Sequence, residues 1–223
     1  MGILSALRTS SENKTGEASS TWIVAFLGNP GKEYVCTRHN AGWIVADTLF
    51  PKDEYKFDKY SNAEVHRVDA SYLEVHPLSK YRSEEIKKVN TNLILVKPMT
   101  FMNLSADAIG YIAKKEAVQT SNIIVVYDDI DIPVGEFRLT TGGGSNHNGV
   151  KSLFSRFGRD GFVRLRIGVG DNDRDVPLRG YVLGQFTKDQ EECLREVSLS
   201  VWEAILDVVM NGVVFAQNKH NKR

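Results

Sequence analysis

Residues 22–50 read WIVAFLGNPGKEYVCTRHNAGWIVADTLF, a succession of apolar strand, polar loop and helix. The six apolar residues 22–27 predict a buried β-strand, and residues 41–50 carry apolar side chains at helical spacing. The loop between them places Asn29 and His39 beyond the carboxyl end of the strand, where open α/β folds build their sites. Histidine is the side chain best able to exchange a proton near neutral pH. His39 is therefore a candidate base, and the alternative is an ordinary loop histidine.

Outward from this stretch, apolar runs of strand length alternate with helical patterns. Strands are predicted at 63–68, 72–75, 92–96, 122–127, 137–139 and 163–169. Helices are predicted at 105–117, from the glycine-rich segment 142–149 to about 157, and at 189–212. Residues 51–60 are polar and predict irregular chain, and residues 79–90 predict a charged loop or short helix. Ser105 is a candidate cap for its helix. The alternation predicts an α/β sandwich with a largely parallel sheet.

The overall charge of the 223-residue chain is balanced, with 28 Lys and Arg against 28 Asp and Glu. Because nucleic-acid binders are often strongly basic, this argues weakly against RNA. Residues 133–188, however, carry nine basic and five acidic side chains, a local excess of four positive charges. That excess indicates either an RNA-facing patch or a mixed solvated surface. No apolar run approaches the ~18 residues of a membrane helix, so no membrane partner is predicted.

The amino-terminal residues 1–20 are rich in Ser and Thr and have few large apolar side chains, which is typical of a disordered extension. Residues 21–223 are then expected to form a single catalytic domain. A mitochondrial presequence would explain the extension, although its Arg content is low. The two cysteines show neither a disulfide framework nor a CxxC pair, so a reducing compartment fits. We expect a mitochondrial or cytoplasmic location.

Three predicted strands end in polar clusters, at Asn29, at 97–103 and at 128–131. Neighbouring parallel strands would gather these clusters at one edge of the sheet. There, a carboxylate from 128–131 that accepts a hydrogen bond from one imidazole nitrogen would leave the other nitrogen free as a base. Asparagine amides would hold a water or polarise a carbonyl. The alternative for each cluster is an ordinary turn or helix cap.

The glycine-rich segment GGGSNHNG at 142–149 offers backbone N–H groups at a helix start, which suits a carbonyl or an anion. It lacks the Gly-Lys-Ser/Thr of a P-loop and is not a GxGxxG that follows a strand. There is no GxSxG elbow, and the five histidines show no metal-ligand spacing. No metal is therefore predicted.

Six segments carry a family pattern: LGNPGKEYVCTRHNAGW at 27–43, KPMTFMNLSADAI at 97–109, DDIDIPVGEFRL at 128–139, GGGSNHNGVKSL at 142–153, RLRIGVG at 164–170 and YVLGQF at 181–186. In order and spacing they resemble the bacterial-type peptidyl-tRNA hydrolase family over most of residues 22–215. The resemblance implies a monomeric three-layer α/β/α sandwich with a twisted mixed, largely parallel central sheet. It also implies an ester hydrolase that cleaves a peptide, or an N-blocked amino acid, from the 3′-ribose of tRNA and so recycles the tRNA, without cofactor or metal.

The resemblance also assigns roles to individual residues. It implies that His39 is the base, that Asp128 orients it and that Asn29 holds the water and the reacting carbonyl. The implied substrate positions are Tyr34, Met102, Asn103 and Asn148, and the implied tRNA phosphate contacts are Arg138 and Arg166.

The chain departs from the family pattern at several positions. Ser145 and Asn146 stand where the family usually has two glycines, in a loop one residue shorter, and Thr140 replaces a frequent lysine. Phe26 and Ala106 replace smaller residues. Two alternatives stay open at this point. One is a non-enzymatic RNA-binding or splicing-factor relative of the same fold, and the other is a generic esterase that acts on small esters.

Overall fold

The computed structural model describes residues 20–69, 91–170 and 176–221. The predicted strand at 72–75 and the predicted charged segment at 79–90 lie outside the described residues. So do residues 1–19 of the predicted extension, whereas Ser20 begins the first strand.

A mixed sheet runs through the described residues. Its strands are β1 Ser20–Phe26, β2 Lys56–Asp58, β3 Ala63–Val68, β4 Thr91–Pro98, β5 Ile123–Asp129, β6 Phe137–Thr141 and β7 Val163–Gly168. The strand order is β2-β3-β4-β1-β5-β7-β6. The four central strands β4, β1, β5 and β7 are parallel, and the flanking strands pair antiparallel. The prediction of a mixed, largely parallel sheet is confirmed.

Helices cover both faces of this sheet. They are α1 Ala41–Leu49, α2 Ser105–Lys115, α3 Asn148–Phe157, α4 Leu178–Leu183, α5 Lys188–Asn211 and α6 Val213–His220. Side chains alternate across a strand, so in β1 Val24 and Phe26 face the core formed with α1 and α5. Ile23 and Ala25 face the opposite core, formed with α2 and α3. The three-layer α/β/α prediction is therefore confirmed.

Two local predictions were wrong. Residues 51–60 are not irregular throughout, because a 3-10 turn Lys52–Glu54 leads into β2. β2 is a short, largely exposed edge strand held by backbone pairing to β3, so it needs no apolar pattern. Ser105 does not cap α2: Leu104 precedes the helix, and Ser105 Oγ donates to Met102 O over 2.8 Å. A 3-10 turn Met102–Leu104 runs directly into the helix, which displaces the expected cap.

The register of the parallel strands places three loops at one edge of the sheet. Ala25 of β1 lies beside Val96 of β4, and Phe26 lies beside Val126 of β5. The chain segments that follow β1, β4 and β5 therefore leave the sheet together. Within the described residues, no helix is both long and apolar enough to cross a bilayer.

Candidate active site

His39 lies in a 3-10 turn, Arg38–Asn40, between β1 and α1. The turn is fastened to the segment after α4: Arg38 N donates to Gly184 O, and Phe186 N donates to Cys36 O, both over 3.0 Å. These backbone bonds join residues far apart in sequence. They hold the His39 turn against the body of the fold independently of its side chain.

The first turn of α1 packs directly on the sheet backbone at Gly42. A Cβ at this position would lie 2.6 Å from Leu27 O and 2.7 Å from Val126 O, closer than real Cβ contacts. Only glycine permits that approach. The close packing brings the beginning of α1, and with it His39, to the end of β5.

The imidazole of His39 meets the carboxylate of Asp128 at the end of β5. His39 Nδ1 lies 3.0 Å from both carboxylate oxygens, and the two side chains are buried, with 8% and 3% exposure. Because an ionised carboxylate only accepts, Nδ1 carries the proton and Nε2 is left unprotonated in the neutral ring. This is the tautomer that a base needs.

Electrostatics favour an ionised Asp128 and a basic His39. Burial by itself would lower the pKa of His39, but the charge and hydrogen bond of Asp128 raise it above its ordinary value. Burial would raise the pKa of Asp128, but the imidazoles of His147 and His39 hold that pKa well below its usual range. The carboxylate therefore stays charged at neutral pH and supports the positive charge that His39 acquires when it takes a proton.

A second histidine shares this carboxylate, which sequence reasoning missed. His147 Nε2 lies 2.8 Å from Asp128 Oδ1, and its Nδ1 accepts from Val150 N over 3.3 Å as the cap of α3. His147 Nε2 is therefore the proton donor to Asp128. The available signal was its place in the matched segment at 142–153.

His39, Asp128 and His147 are also the set of described side chains whose ligand atoms lie close enough to hold a metal ion, within 4.8 Å of one another. Sequence spacing did not reveal this set, because the two histidines lie far apart in the sequence. The hydrogen bonds already account for the arrangement, since both imidazoles donate to the same carboxylate. A metal would have to displace both protons.

Asn29 is held with its amide in a defined orientation. Its Oδ1 accepts from Met102 N over 2.8 Å, and its backbone exchanges hydrogen bonds with the Asn40 side chain at 2.9 and 3.1 Å. Because Oδ1 is occupied, Nδ2 is the free end, and it makes no hydrogen bond within the described residues. Asn29 can therefore donate to a carbonyl oxygen in the cleft.

These side chains open on a cleft of about 1320 Å³. Its lining includes Asn29, Tyr34, His39, Met102, Asn103, Asp128, His147, Asn148 and Arg166. The structure thus brings together every predicted site residue except Arg138. Arg138 does not line the cleft, and its Nη2 pairs with Glu136 at 3.0 Å.

Arg166 lines the cleft but is paired as well. Its Nε donates to Asp129 Oδ2 over 2.6 Å, and that hydrogen bond is the main reason why the pKa of Arg166 is raised. Both predicted phosphate contacts therefore already hold an acidic partner.

The sequence and fold of the chain are similar to those of known proteins. A sequence model of the peptidyl-tRNA hydrolase family matches residues 23–223. The chain belongs to the peptidyl-tRNA hydrolase family. It is 36% identical over 203 residues to a peptidyl-tRNA hydrolase from Lachnospira eligens, covering 90% of this chain and 99% of that protein. It is 37% identical over 200 residues to one from Fervidobacterium nodosum, covering 89% and 95%.

Solved structures of the family have the same fold. The crystal structure of peptidyl-tRNA hydrolase from Acinetobacter baumannii superimposes with a TM-score of 0.73 at 29% identity, covering 92% of this chain and 97% of that one. The family resemblance predicted from the six segments is confirmed.

Proposed function

We propose that this member of the peptidyl-tRNA hydrolase family cleaves the ester between a peptide, or an N-blocked amino acid, and the 3′-ribose of tRNA, with His39 as the general base. The observation that carries the proposal is the buried His39–Asp128 pair at the wall of a cleft lined by amide side chains. A lining of amide side chains is not needed to bind small esters, but it suits a substrate with a peptide backbone.

The chemical step follows from the positions of the groups. His39 Nε2 takes a proton from a water molecule, whose oxygen forms a new bond to the ester carbonyl carbon. Asn29 Nδ2 donates to the oxygen that becomes negative, and Asp128 stabilises the imidazolium. The bond from the carbonyl carbon to the ribose 3′-oxygen then breaks, and the imidazolium returns its proton to that oxygen. The products are a free tRNA 3′-hydroxyl and a peptide carboxylic acid, which releases its proton to solvent at neutral pH.

The rim of the cleft supports selectivity for peptides. Asn103 and Asn148 are exposed residues of the lining, so their amides can both donate to and accept from a peptide backbone. Met102 supplies a buried apolar contact in the same wall, and half-buried Tyr34 lies on the lining too. We propose that these four residues hold the blocked amino acid, in an enzyme that acts as a monomer without a cofactor.

The test is hydrolysis of an N-acetyl-aminoacyl-tRNA by the purified protein. His39→Ala should lose at least about 100-fold in turnover, since general-base catalysis contributes roughly 10²–10⁴-fold. The matched control is His220→Ala, because His220 also pairs with a buried carboxylate, Asp207, over 2.7 Å, but does not line the cleft. Thermal unfolding of each variant verifies the fold. Near-normal turnover by folded His39→Ala would refute the mechanism.

A further inference from the structure

Arg164 of β7 is a buried cation without a carboxylate partner in the described part of the chain. It is 3% exposed and lines the cleft. Its Nη1 donates to Gly144 O over 3.3 Å, its guanidinium lies 5.5 Å from the ring centroid of Phe154, and its Nε has no hydrogen-bond partner. Burial of an unpaired charge is strongly unfavourable, and no carboxylate of the described residues compensates this one.

The same fold compensates another buried cation fully. Lys97 of β4 is 4% exposed, and its Nζ lies 2.7 Å from Asp47 Oδ1 and 3.1 Å from Glu64 Oε2. Arg164 is buried to the same degree without such a pair. The difference shows that the described residues of the chain supply a counterion for Lys97 but none for Arg164.

The glycine loop, residues 142–146, lies over Arg164 and offers further donors. Gly142 and Gly143 have φ values of 67° and 76°, a left-handed geometry that exposes successive N–H groups. None of the five backbone N–H groups of this loop donates to a protein acceptor among the described residues. Loops of this kind, at the start of a helix such as α3, bind anions.

Cross-strand pairing adds one more unused group. Thr140 of β6 lies opposite Arg164 of β7, and its Oγ1 is buried without a hydrogen-bond partner. Thr140 and all five residues of the glycine loop line the cleft together with Arg164. Asp160, the acid nearest to the loop at Gly142, forms no ion pair with Arg164.

The strand register gives the distance of this group from the reacting centre. Arg164 lies beside Val125, and Asp128 lies beside Ile167, so the two levels differ by three residues, or about 10 Å at ~3.3 Å per residue. A short segment of extended single strand spans this length. A single strand whose 3′ end lies at His39 can thus place a backbone phosphate at Arg164.

We propose that Arg164, Thr140 and the glycine loop form a pocket for a backbone phosphate of the single-stranded 3′ end of the RNA substrate. This inference rests on the proposed function for the identity of the strand. A planar guanidinium and converging N–H groups match the geometry of phosphate oxygens. The pocket is distinct from Arg138 and Arg166, which already hold acidic partners.

The experiment measures binding of the RNA trinucleotide CCA, and of adenosine as a phosphate-free probe, by calorimetry over a series of KCl concentrations. The variants are Arg164→Met, Arg164→Lys and the matched control Arg195→Met, which removes an exposed arginine of α5 paired only with Glu191. Thermal unfolding verifies that each variant is folded, and Arg164→Lys retains the charge if Arg164→Met is unstable.

Arg164→Met should raise the Kd of CCA about tenfold and reduce the slope of log affinity against log salt by ~0.7, the value for one phosphate contact on a single strand. The Kd of adenosine should change less than twofold, Arg164→Lys should retain the slope, and Arg195→Met should alter neither probe. A weaker affinity for both probes with an unchanged slope would overturn the pocket and make Arg164 a support of the loop through Gly144.

Two competitors test the source of the anion. Inorganic phosphate should displace CCA only weakly, because it lacks the rest of the strand. The affinity for an N-acetyl dipeptide with a free carboxylate should not depend on Arg164. If the dipeptide loses affinity in Arg164→Met whereas CCA does not, the pocket is for a carboxylate and the proposal fails.

Binding requires no turnover. An Arg164-dependent salt slope in a protein that hydrolyses nothing would therefore refute only the proposed function, and active protein with an unaltered slope would refute only the pocket.

Discussion

The two ends of the cleft differ in whether their buried charged groups have protein partners. At the end that carries His39, Asp128 accepts hydrogen bonds from two imidazoles, and Asn29 is held by Met102. At the end formed by the glycine loop, Arg164 is buried with an unpaired Nε. The buried charge of the first end is paired within the protein, whereas that of the second end has no carboxylate partner among the described residues.

This difference separates groups for chemistry from groups for binding. Catalytic groups act best when the protein orients them beforehand, because reorganisation during the reaction is avoided. A binding group whose charge is already neutralised gains little from an anionic ligand. Site-directed variants of the two ends test this contrast.

The largest effect is expected for Asp128→Asn, at the end of the cleft that carries His39. Loss of a charge-assisted hydrogen bond worth about 1–3 kcal/mol should lower turnover roughly 5- to 150-fold. Asp128 also holds the pKa of His39 above its ordinary value, against the effect of burial. Only neutral His39 is a base, so turnover rises with pH through this pKa. The variant should therefore reach half-maximal turnover at a lower pH than wild type, which a pH–rate profile measures. An unmoved midpoint would contradict the role of Asp128.

The second prediction compares the two buried cations. Lys97→Met leaves Asp47 and Glu64 without their buried partner and should lower the free energy of unfolding by about 1–3 kcal/mol. Arg164→Met removes a charge that has no carboxylate partner among the described residues and should change the free energy of unfolding by less than about 1 kcal/mol. Urea unfolding at neutral pH measures both. An equal loss in the two variants would mean that Arg164 is a structural residue.

A smaller effect is expected at the exposed amides of the rim. Asn103→Ala and Asn148→Ala should each lower kcat/KM for N-acetyl-aminoacyl-tRNA roughly 2- to 12-fold, the equivalent of one hydrogen bond of about 0.5–1.5 kcal/mol. The rate on unblocked aminoacyl-tRNA should fall less, so the preference for blocked substrate shrinks. Competition between the two substrates in one reaction gives this ratio. If both rates fall equally, the two amides do not recognise the peptide group of the substrate.

The smallest effect is expected for Arg166→Gln. Because Arg166 already pairs with Asp129 over 2.6 Å, the salt slope of tRNA binding should change by less than the ~0.7–0.9 of a full phosphate contact. The change should also be smaller than that of Arg164→Met on the same tRNA. A larger change for Arg166→Gln would reverse the ranking of the two arginines.

Most of the architecture was predictable because it depends on local patterns. The strands at 22–27, 92–96 and 122–127 follow from short apolar runs, and the prediction of a largely parallel sheet is confirmed by the pairing. β2 was missed because an exposed edge strand needs no apolar pattern. The short helices α4 and α6 were missed because neither has a long amphipathic repeat.

The candidate site was predictable to the extent that polar residues follow strand ends. His39, Asn29 and Asp128 were chosen for this reason and through the family resemblance, and the structure places them together; their roles stay predictions. His147 was passed over because its partner, Asp128, belongs to another segment. The pairing of Arg166 with Asp129 was also not foreseen, since these two residues meet only in the folded sheet.

The sequence by itself determined the fold class, the family and the set of polar residues available at the edge of the sheet, because periodicity and motif order are properties of the chain. Folding in three dimensions brings two imidazoles to one carboxylate and buries Arg164 where no described carboxylate pairs with it. The physical reason is that burial and pairing arise between segments distant in sequence. A side chain's protonation, or its need for an anion, depends on those neighbours rather than on its own residue type.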